Sequence, residues 1–374
     1  MATIINSKVT DTQTDTVLRI KKYGSISPPG ELTSAIVIER PSTDISIFSA
    51  GRIDGYDAIS VEKLTGSFEI RNQGTIYAKD YFQSFGEPGS EYYESYSRPS
   101  EAVEISLNGG SKYSGLLRND GSIISSDGYY DMDEVEGVAV SILGGEITIL
   151  NNGTISGEVV LSGPGRDRLF TTEGSRIRGD VELEDAPSLV KHAGIADRIL
   201  TSDKSDTLVV KSTGEIEYSA STRDGNDQVF NRGSIGSLDL GDGDDFYKAA
   251  GRGSARSIEG GDGNDTLRGA NAADTLQGED GDDIIIGGRG DDLLIAGAGA
   301  DRLLFQPGDG NDTVEGFSTD EGDTLFLKAH GFESLADLHA QISIIDRNTV
   351  IDLGDDSILL VGFRQELEAE DVVL

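Results

Sequence analysis

Five aspartates recur at intervals of nine residues: Asp265, Asp274, Asp283, Asp292 and Asp301. Two places after each stands a large aliphatic residue, in turn Leu267, Leu276, Ile285, Leu294 and Leu303. The units begin at Gly260, Gly269, Gly278, Gly287 and Ala296 and read GGDGNDTLR, GANAADTLQ, GEDGDDIII, GGRGDDLLI and AGAGADRLL. Each aspartate offers a charged oxygen. Glycines such as Gly261, Gly263, Gly281, Gly288, Gly290 and Gly299 permit the positive φ of a tight turn, and without a Cβ they let carbonyl oxygens converge. A hard divalent cation such as calcium takes six to eight oxygens of these two kinds. The chemistry this pattern could do is therefore cation binding by stacked turns.

The elements that must position those turns are very short strands. In each unit the residues around the aliphatic position form one, with that side chain pointing inward. Two nonapeptides make one 18-residue coil, so alternate units share an edge. Asp265, Asp283 and Asp301 are expected on one edge, with Asp274 and Asp292 on the other. The second unit departs from the pattern, with Ala270, Ala272 and Ala273 in its turn. Alanine in a left-handed position costs stability, so the Asp274 site is expected to be weak or lost.

A looser repeat runs upstream: an apolar-x-apolar pair, then a Gly, then Ile two residues later. Instances are Leu18/Ile20–Gly24–Ile26, Ile45/Ile47–Gly51–Ile53, Phe68/Ile70–Gly74–Ile76 and Ile147/Ile149–Gly153–Ile155, with a partial copy at Leu117–Gly121–Ile123. From Gly153 the glycines continue at 174, 194, 214, 233 and 253, the copy at Gly194 being degenerate. A second aspartate column accompanies them at Asp167, Asp206, Asp227, Asp245 and then Asp265, so cation-type turns begin before the regular block. A coil of about 20 residues is the period of a parallel β-helix, and the step to 18 is small enough for one solenoid to contain both. Two insertions interrupt the early coils. Residues 77–98 are rich in tyrosine and phenylalanine, and residues 125–136 carry Asp127, Asp131, Asp133 and Glu134.

The nonapeptide block resembles the RTX repeat, GGxGxDxUx, a calcium-binding β-roll found in secreted proteins. The upstream coils resemble the N-x-G-T-I-x-G coils of bacterial surface β-helix proteins. Residues 307–314 make one more half-turn, which adds Asp312. From Gly316 the chain resembles the module that ends many RTX exoproteins, and Leu367–Leu374 resembles the uncleaved C-terminal signal of type I export. The resemblance implies several bound Ca2+ ions, export by type I machinery and an extracellular or cell-surface location. The metal-site residues it implies are Asp227, Asp245, Asp265, Asp274, Asp283, Asp292, Asp301 and Asp312, with the six glycines named above.

Composition narrows the alternatives. With 31 Lys+Arg against 67 Asp+Glu the formal charge is −36, which repels phosphate backbones and anionic lipid. Nucleic acid is therefore excluded as a partner, and no apolar run is long enough for membrane insertion. Cysteine is absent, so disulfides and thiolate–metal sites are too. The histidines are His192, His330 and His339, and none belongs to an H-E-x-x-H helix. Neither a G-x-S-x-G elbow nor a phosphate loop occurs. These absences point away from an enzyme, although parallel β-helices do host polysaccharide lyases and epimerases.

The expected fold is all-β: a right-handed parallel β-helix or β-solenoid continuing into an RTX calcium β-roll, with a small C-terminal cap. The expected segments are residues 1–160 (early coils with both insertions), 161–259 (regular coils), 260–317 (β-roll) and 318–374 (cap and secretion-signal region). Phe332, Leu335, Leu338 and Ile342 are spaced for a short helix. The expected function is that of a calcium-dependent structural protein of the bacterial surface or matrix, self-associating head-to-tail or in a lattice. The alternatives are a calcium-dependent adhesin that binds cell-surface polysaccharide, for which the tyrosine-rich insertion is the candidate contact, and a β-helix lyase or epimerase.

Overall fold

The fold is taken from a computed structural model, which describes residues 2–3, 9–10, 16–20, 25–26, 36–39, 45–50, 52–55, 58–64, 66–78, 81–85, 94–98, 102–107, 113–125, 128–130, 133–135 and 138–374. Gly24, Gly51, Tyr92, Tyr93, Asp127 and Asp131 lie outside them. The chain divides into two compact units, Met1–Ser202 and Asp203–Leu374. Both are built almost entirely of short parallel strands, coil upon coil, so the fold is a parallel β-solenoid. Among the described residues no helix is long and apolar enough to cross a membrane.

In the first unit one wall is a parallel ladder of Thr16–Ile20, Ile45–Ser49, Phe68–Asn72, Ser114–Asn119, Glu146–Asn151, Arg168–Thr171 and Leu189–His192. Its register stacks Ile47, Ile70, Leu117, Ile149, Leu169 and Val190 into one column, each at most 1% exposed. The second wall stacks the isoleucines of the Gly-x-Ile motif, Ile53, Ile76, Ile123 and Ile155, followed by Ile177, which stands three residues after its glycine. The copy at Leu117 is partial for a steric reason. Gly115 faces Phe68, and a Cβ there would lie 2.1 Å from the Phe68 ring. The glycine makes room for the ring.

One register differs from the sequence reading. Aligning the coils on Gly24 and Gly51 pairs Leu18 with Ile45, whereas the strands pair Leu18 with Ile47 and Thr16 with Ile45. The next strands realign, Ser25 with Arg52, so the corner between them is two residues longer in the first coil. Corners tolerate such changes because only strand register is set by the inward side chains.

The recurring Asn two residues before the motif glycine also has a structural cause. Asn72, Asn119 and Asn151 are fully buried and stacked, with Nδ2 of each donating to Oδ1 of the next at 2.9 Å. The Oδ1 atoms also accept from the amides of Gly74, Gly121 and Gly153. Thr171 and His192 continue that column, joined Oγ1 to Nδ1 at 2.9 Å.

The second unit repeats the plan. One sheet carries Thr207–Val210, Gln228–Asn231, Phe246–Ala249, Thr266–Arg268, Ile284–Ile286, Arg302–Leu304, Thr324–Phe326 and Val372–Val373, all parallel. The other runs through Glu215–Ser221, Ser234–Asp239, Ile258–Asp262, Thr275–Asp280, Leu293–Ala298, Asn311–Glu315 and Ser357–Leu360. Leu267, Leu276, Ile285, Leu294 and Leu303 are completely buried between them. Asn348–Asp352 and then Ile342–Ile345 add antiparallel to Ser357–Leu360. The short helix is smaller than its apolar spacing suggests. It covers only Leu335–His339, capped by the Ser334 side chain and burying Leu338, while Ile342 starts the edge strand. The two insertions form antiparallel hairpins, Tyr81–Phe85 with Glu94–Arg98 and Gly128–Tyr130 with Asp133–Val135.

Candidate metal centre

In the second unit the residue immediately before each strand of the first sheet is an aspartate over seven coils, Asp206 to Asp323. Their backbones and side chains interlock. The amide of Asp206 donates to Asp227 Oδ1 at 2.7 Å, Asp227 to Asp245 at 2.6 Å, and Asp245 to Asp265 at 2.8 Å. The row continues from Asp265 to Asp283 at 2.7 Å, to Asp301 at 2.9 Å and to Asp323 at 2.9 Å. The opposite edge has a shorter row, Asp274 to Asp292 at 2.8 Å and Asp292 to Asp312 at 3.0 Å. The structure thus brings all eight sequence-predicted aspartates together in two edge rows, one coil of 18 or 20 residues separating each from the next.

Each row leaves an electrostatic problem. None of the eight is more than 3% exposed. One carboxylate oxygen accepts the neighbouring amide, but the other is buried without a partner in Asp227, Asp245, Asp265, Asp283, Asp292 and Asp301 (Oδ2) and in Asp274 (Oδ1). Burial pushes the Asp245 carboxyl up to about 8, and the charges of Asp227 and Asp265 add to it. Burial likewise lifts Asp227, Asp283, Asp301 and Asp312 to about 7, and Asp265 and Asp274 to about 6. Asp292 moves the same way. Buried carboxylates with one idle oxygen each must hold a proton or a cation.

The surrounding backbone suits the cation. A Cβ placed on Gly260 would lie 2.3 Å from Asp265 Oδ2 and 2.6 Å from the Gly278 carbonyl oxygen of the next coil. At Gly278 the corresponding atoms are Asp283 Oδ2 at 2.2 Å and the Ala296 carbonyl at 2.3 Å. Carboxylate and carbonyl oxygens therefore converge on space that only glycine leaves open. All six glycines singled out in the sequence have positive φ, from 98° at Gly288 to 148° at Gly281. Among the described residues no three acidic or histidine side chains are grouped to hold a metal by themselves, so carbonyls must complete any coordination. The donor set is hard oxygen throughout, which fits calcium. When bound, calcium supplies the positive charge that these oxygens lack.

The alanine unit takes a different course from the one its sequence suggests. Neither Ala270 nor Ala272 adopts a positive φ. The turn changes path instead, and the Ala270 amide donates to its own Asp274 Oδ2 at 3.0 Å. Glu279 and Arg223, which occupy the equivalent second position, do sit in the left-handed region, at 74° and 62°. A further ladder escaped the sequence reading. The fifth position carries Asp244, Asn264 and Asp282, whose Oδ1 atoms accept the amides of Asn264, Asp282 and Ala300 at 3.0, 2.8 and 2.9 Å. Its signal is the recurrence of Asn or Asp just before the sixth-position aspartate. Asp291 and Asn311 repeat it on the other edge.

Comparison with known families agrees with this geometry. The model of the RTX calcium-binding nonapeptide repeat, in four copies, matches residues 257–282 and 268–303. Residues 257–303 are RTX calcium-binding repeats. The RTX block therefore binds calcium ions, and it lies wholly within the second unit. No curated protein matches the chain. Among solved structures it is similar to the extracellular lipase LipA from Serratia marcescens, with 14% identity over 60% of this chain and a TM-score of 0.24. The chain spans 45% of that lipase's length, and so loose an overlap transfers no activity from one to the other.

Proposed function

We propose that this chain is a secreted, calcium-dependent structural protein of a bacterial surface or matrix, which folds on calcium after type I export and then self-associates. The observation that carries the reading is the row of buried, half-partnered carboxylates. Asp227, Asp245, Asp265, Asp283 and Asp301 on one edge, and Asp274, Asp292 and Asp312 on the other, are the proposed ligands, together with carbonyls of the glycine turns. In a compartment poor in calcium their mutual repulsion keeps the coils open for export, and a calcium-rich exterior closes them. Self-association is supported by the strand Ile342–Ile345. Among the described residues it pairs on one side only, and Ile344 and Ile345 are 64% and 56% exposed. An open edge with exposed apolar side chains is a template for pairing with another copy.

Sedimentation velocity tests both halves. The chelator-stripped protein is expected as a slow, expanded monomer that becomes large species in millimolar calcium. Ile345→Lys is expected to compact with calcium but stay monomeric. A wild-type chain that compacts without assembling overturns the structural role and leaves the calcium fold standing. An unchanged sedimentation coefficient overturns both.

A further inference from the structure

The outward face of the second unit's first sheet has a charge opposite to that of the chain. Two adjoining cavities open there, of about 310 and 420 Å³. The first is walled by Lys248, Arg268 and Arg289, the second by Lys211, Arg232 and again Lys248. Five of the thirteen Lys and Arg residues after residue 203 thus line one groove in a chain of charge −36. Among the described residues none of the five has a carboxylate within ion-pair distance. Arg289 acts at longer range on the Asp309 carboxylate of the same cavity, and the other four cations are available to a ligand.

The fold explains the strip and limits what it can hold. Each strand of this sheet starts just after an Asp-rich turn, whereas Lys248 and Arg268 lie in the last two residues of their strands and Lys211, Arg232 and Arg289 beyond the strand ends. A four-residue strand spans only ~13 Å, so the positive strip is narrow and runs alongside an acidic edge. A nucleic-acid duplex laid on it would overlap the acids. Single-stranded nucleic acid needs open aromatic faces for its bases. The aromatic ring in the groove wall, Phe230, is instead packed on Phe246, centroids 5.8 Å apart at 52°. The remaining polar lining is Asn231, Asn271, Gln306 and Asp309, whose Oδ2 accepts the Gln306 backbone amide, and the neutral amides of Asn271 and Gln306 with this single carboxylate suit hydroxyl groups. Successive coils repeat every ~4.8 Å, close to the rise of one sugar ring in an extended glycan.

We infer that this groove binds a carboxylated polysaccharide, lying across the strands from Thr207–Val210 to Ile284–Ile286 with its carboxylates on Lys211, Arg232, Lys248 and Arg268. The site is separate from the assembly edge at Ile342–Ile345, so it stands or falls independently of self-association. Lys248, common to both cavities, is the central contact.

The test is calorimetric titration of the full chain in millimolar calcium with a galacturonate hexamer, short enough to stay soluble. A neutral glucose hexamer and a single-stranded oligonucleotide of matched charge serve as controls. Binding of the galacturonate alone is expected, falling at least tenfold in Lys248→Ala and more in Lys248→Ala with Arg268→Ala, and retained in Lys248→Arg. Circular dichroism and the calcium midpoint of each variant should match the parent, because these side chains lie on the outer face. The inference is overturned by no binding of the acidic hexamer, by equal binding of the neutral one, by tighter binding of the oligonucleotide, or by full affinity in the double variant.

Discussion

Asp283→Asn separates the two roles of a ladder aspartate. Asp283 stands between Asp265 and Asp301, and its Oδ1 accepts the Asp265 amide at 2.7 Å while Oδ2 is buried without a partner. Asparagine keeps the first contact through its own Oδ1 and places an NH2 where the idle oxygen was. Two carboxylates ~5 Å apart at an effective dielectric constant near 20 repel by ~3 kcal/mol. Partial protonation at neutral pH, implied by a carboxyl raised to about 7, leaves a smaller share of that to be relieved. The calcium-free variant should therefore be no less stable than the parent, and more stable at pH 8. With calcium the sign reverses, since a charge-assisted ligand contributing about 1.5–3 kcal/mol is lost. That corresponds to roughly ten- to a hundredfold more calcium at half-folding. Far-UV circular dichroism reads both signs, through the calcium titration and through the folded fraction that remains in chelator at pH 8. An unchanged calcium midpoint, or equal destabilisation with and without calcium, would refute the reasoning.

Other expectations follow from the same geometry. Gly281→Ala puts a Cβ 1.8 Å from the Gly263 carbonyl oxygen at φ 148°, so urea unfolding in calcium should show a loss of about 2–4 kcal/mol. Ala270→Gly with Ala272→Gly should restore the regular turn around Asp274 and lower the calcium needed for half-folding, checked by the same titration. Asn119→Ala removes both stacked side-chain bonds in the first unit and should cost about 1–3 kcal/mol of that unit's unfolding free energy. Because no aspartate row is involved, the loss should be the same in chelator and in calcium. For pH, the sign follows from carboxyls raised in the folded state to about 6–8, against about 4 unfolded. Their contribution to the calcium-free fold is fully present below pH ~4 and is lost as pH rises through 6–8. Calcium-free protein should thus resist urea better at pH 5 than at pH 8, and calcium addition at pH 6.5 should release protons measurable in weak buffer.

Much of this was legible in the sequence because a solenoid repeats its constraints. An inward Leu at 267 and an Asp at 265 recur every 18 residues on the same edge, so the linear pattern is already the three-dimensional one. What the sequence leaves open is set by contacts between coils. The Gly115 gap is needed only because Phe68 lies beneath it. The first-coil register depends on corner length, which no side-chain pattern fixes. The course of the Ala270 turn depends on an amide choosing its own Asp274. The cationic groove was invisible for a related reason. Lys211, Arg232, Lys248, Arg268 and Arg289 lie 16 to 21 residues apart in a chain read chiefly for its acids, and only coil stacking assembles them.

The most direct test of the central claim, that calcium completes a fold left unfinished by its buried carboxylates, is hydrogen exchange by mass spectrometry across residues 257–303. Peptides covering the amides of Asp265, Asp274, Asp283 and Asp292 are expected to exchange rapidly in chelator and to become strongly protected in millimolar calcium. Equal protection in both conditions would show that the turns close without the ion and would contradict the claim.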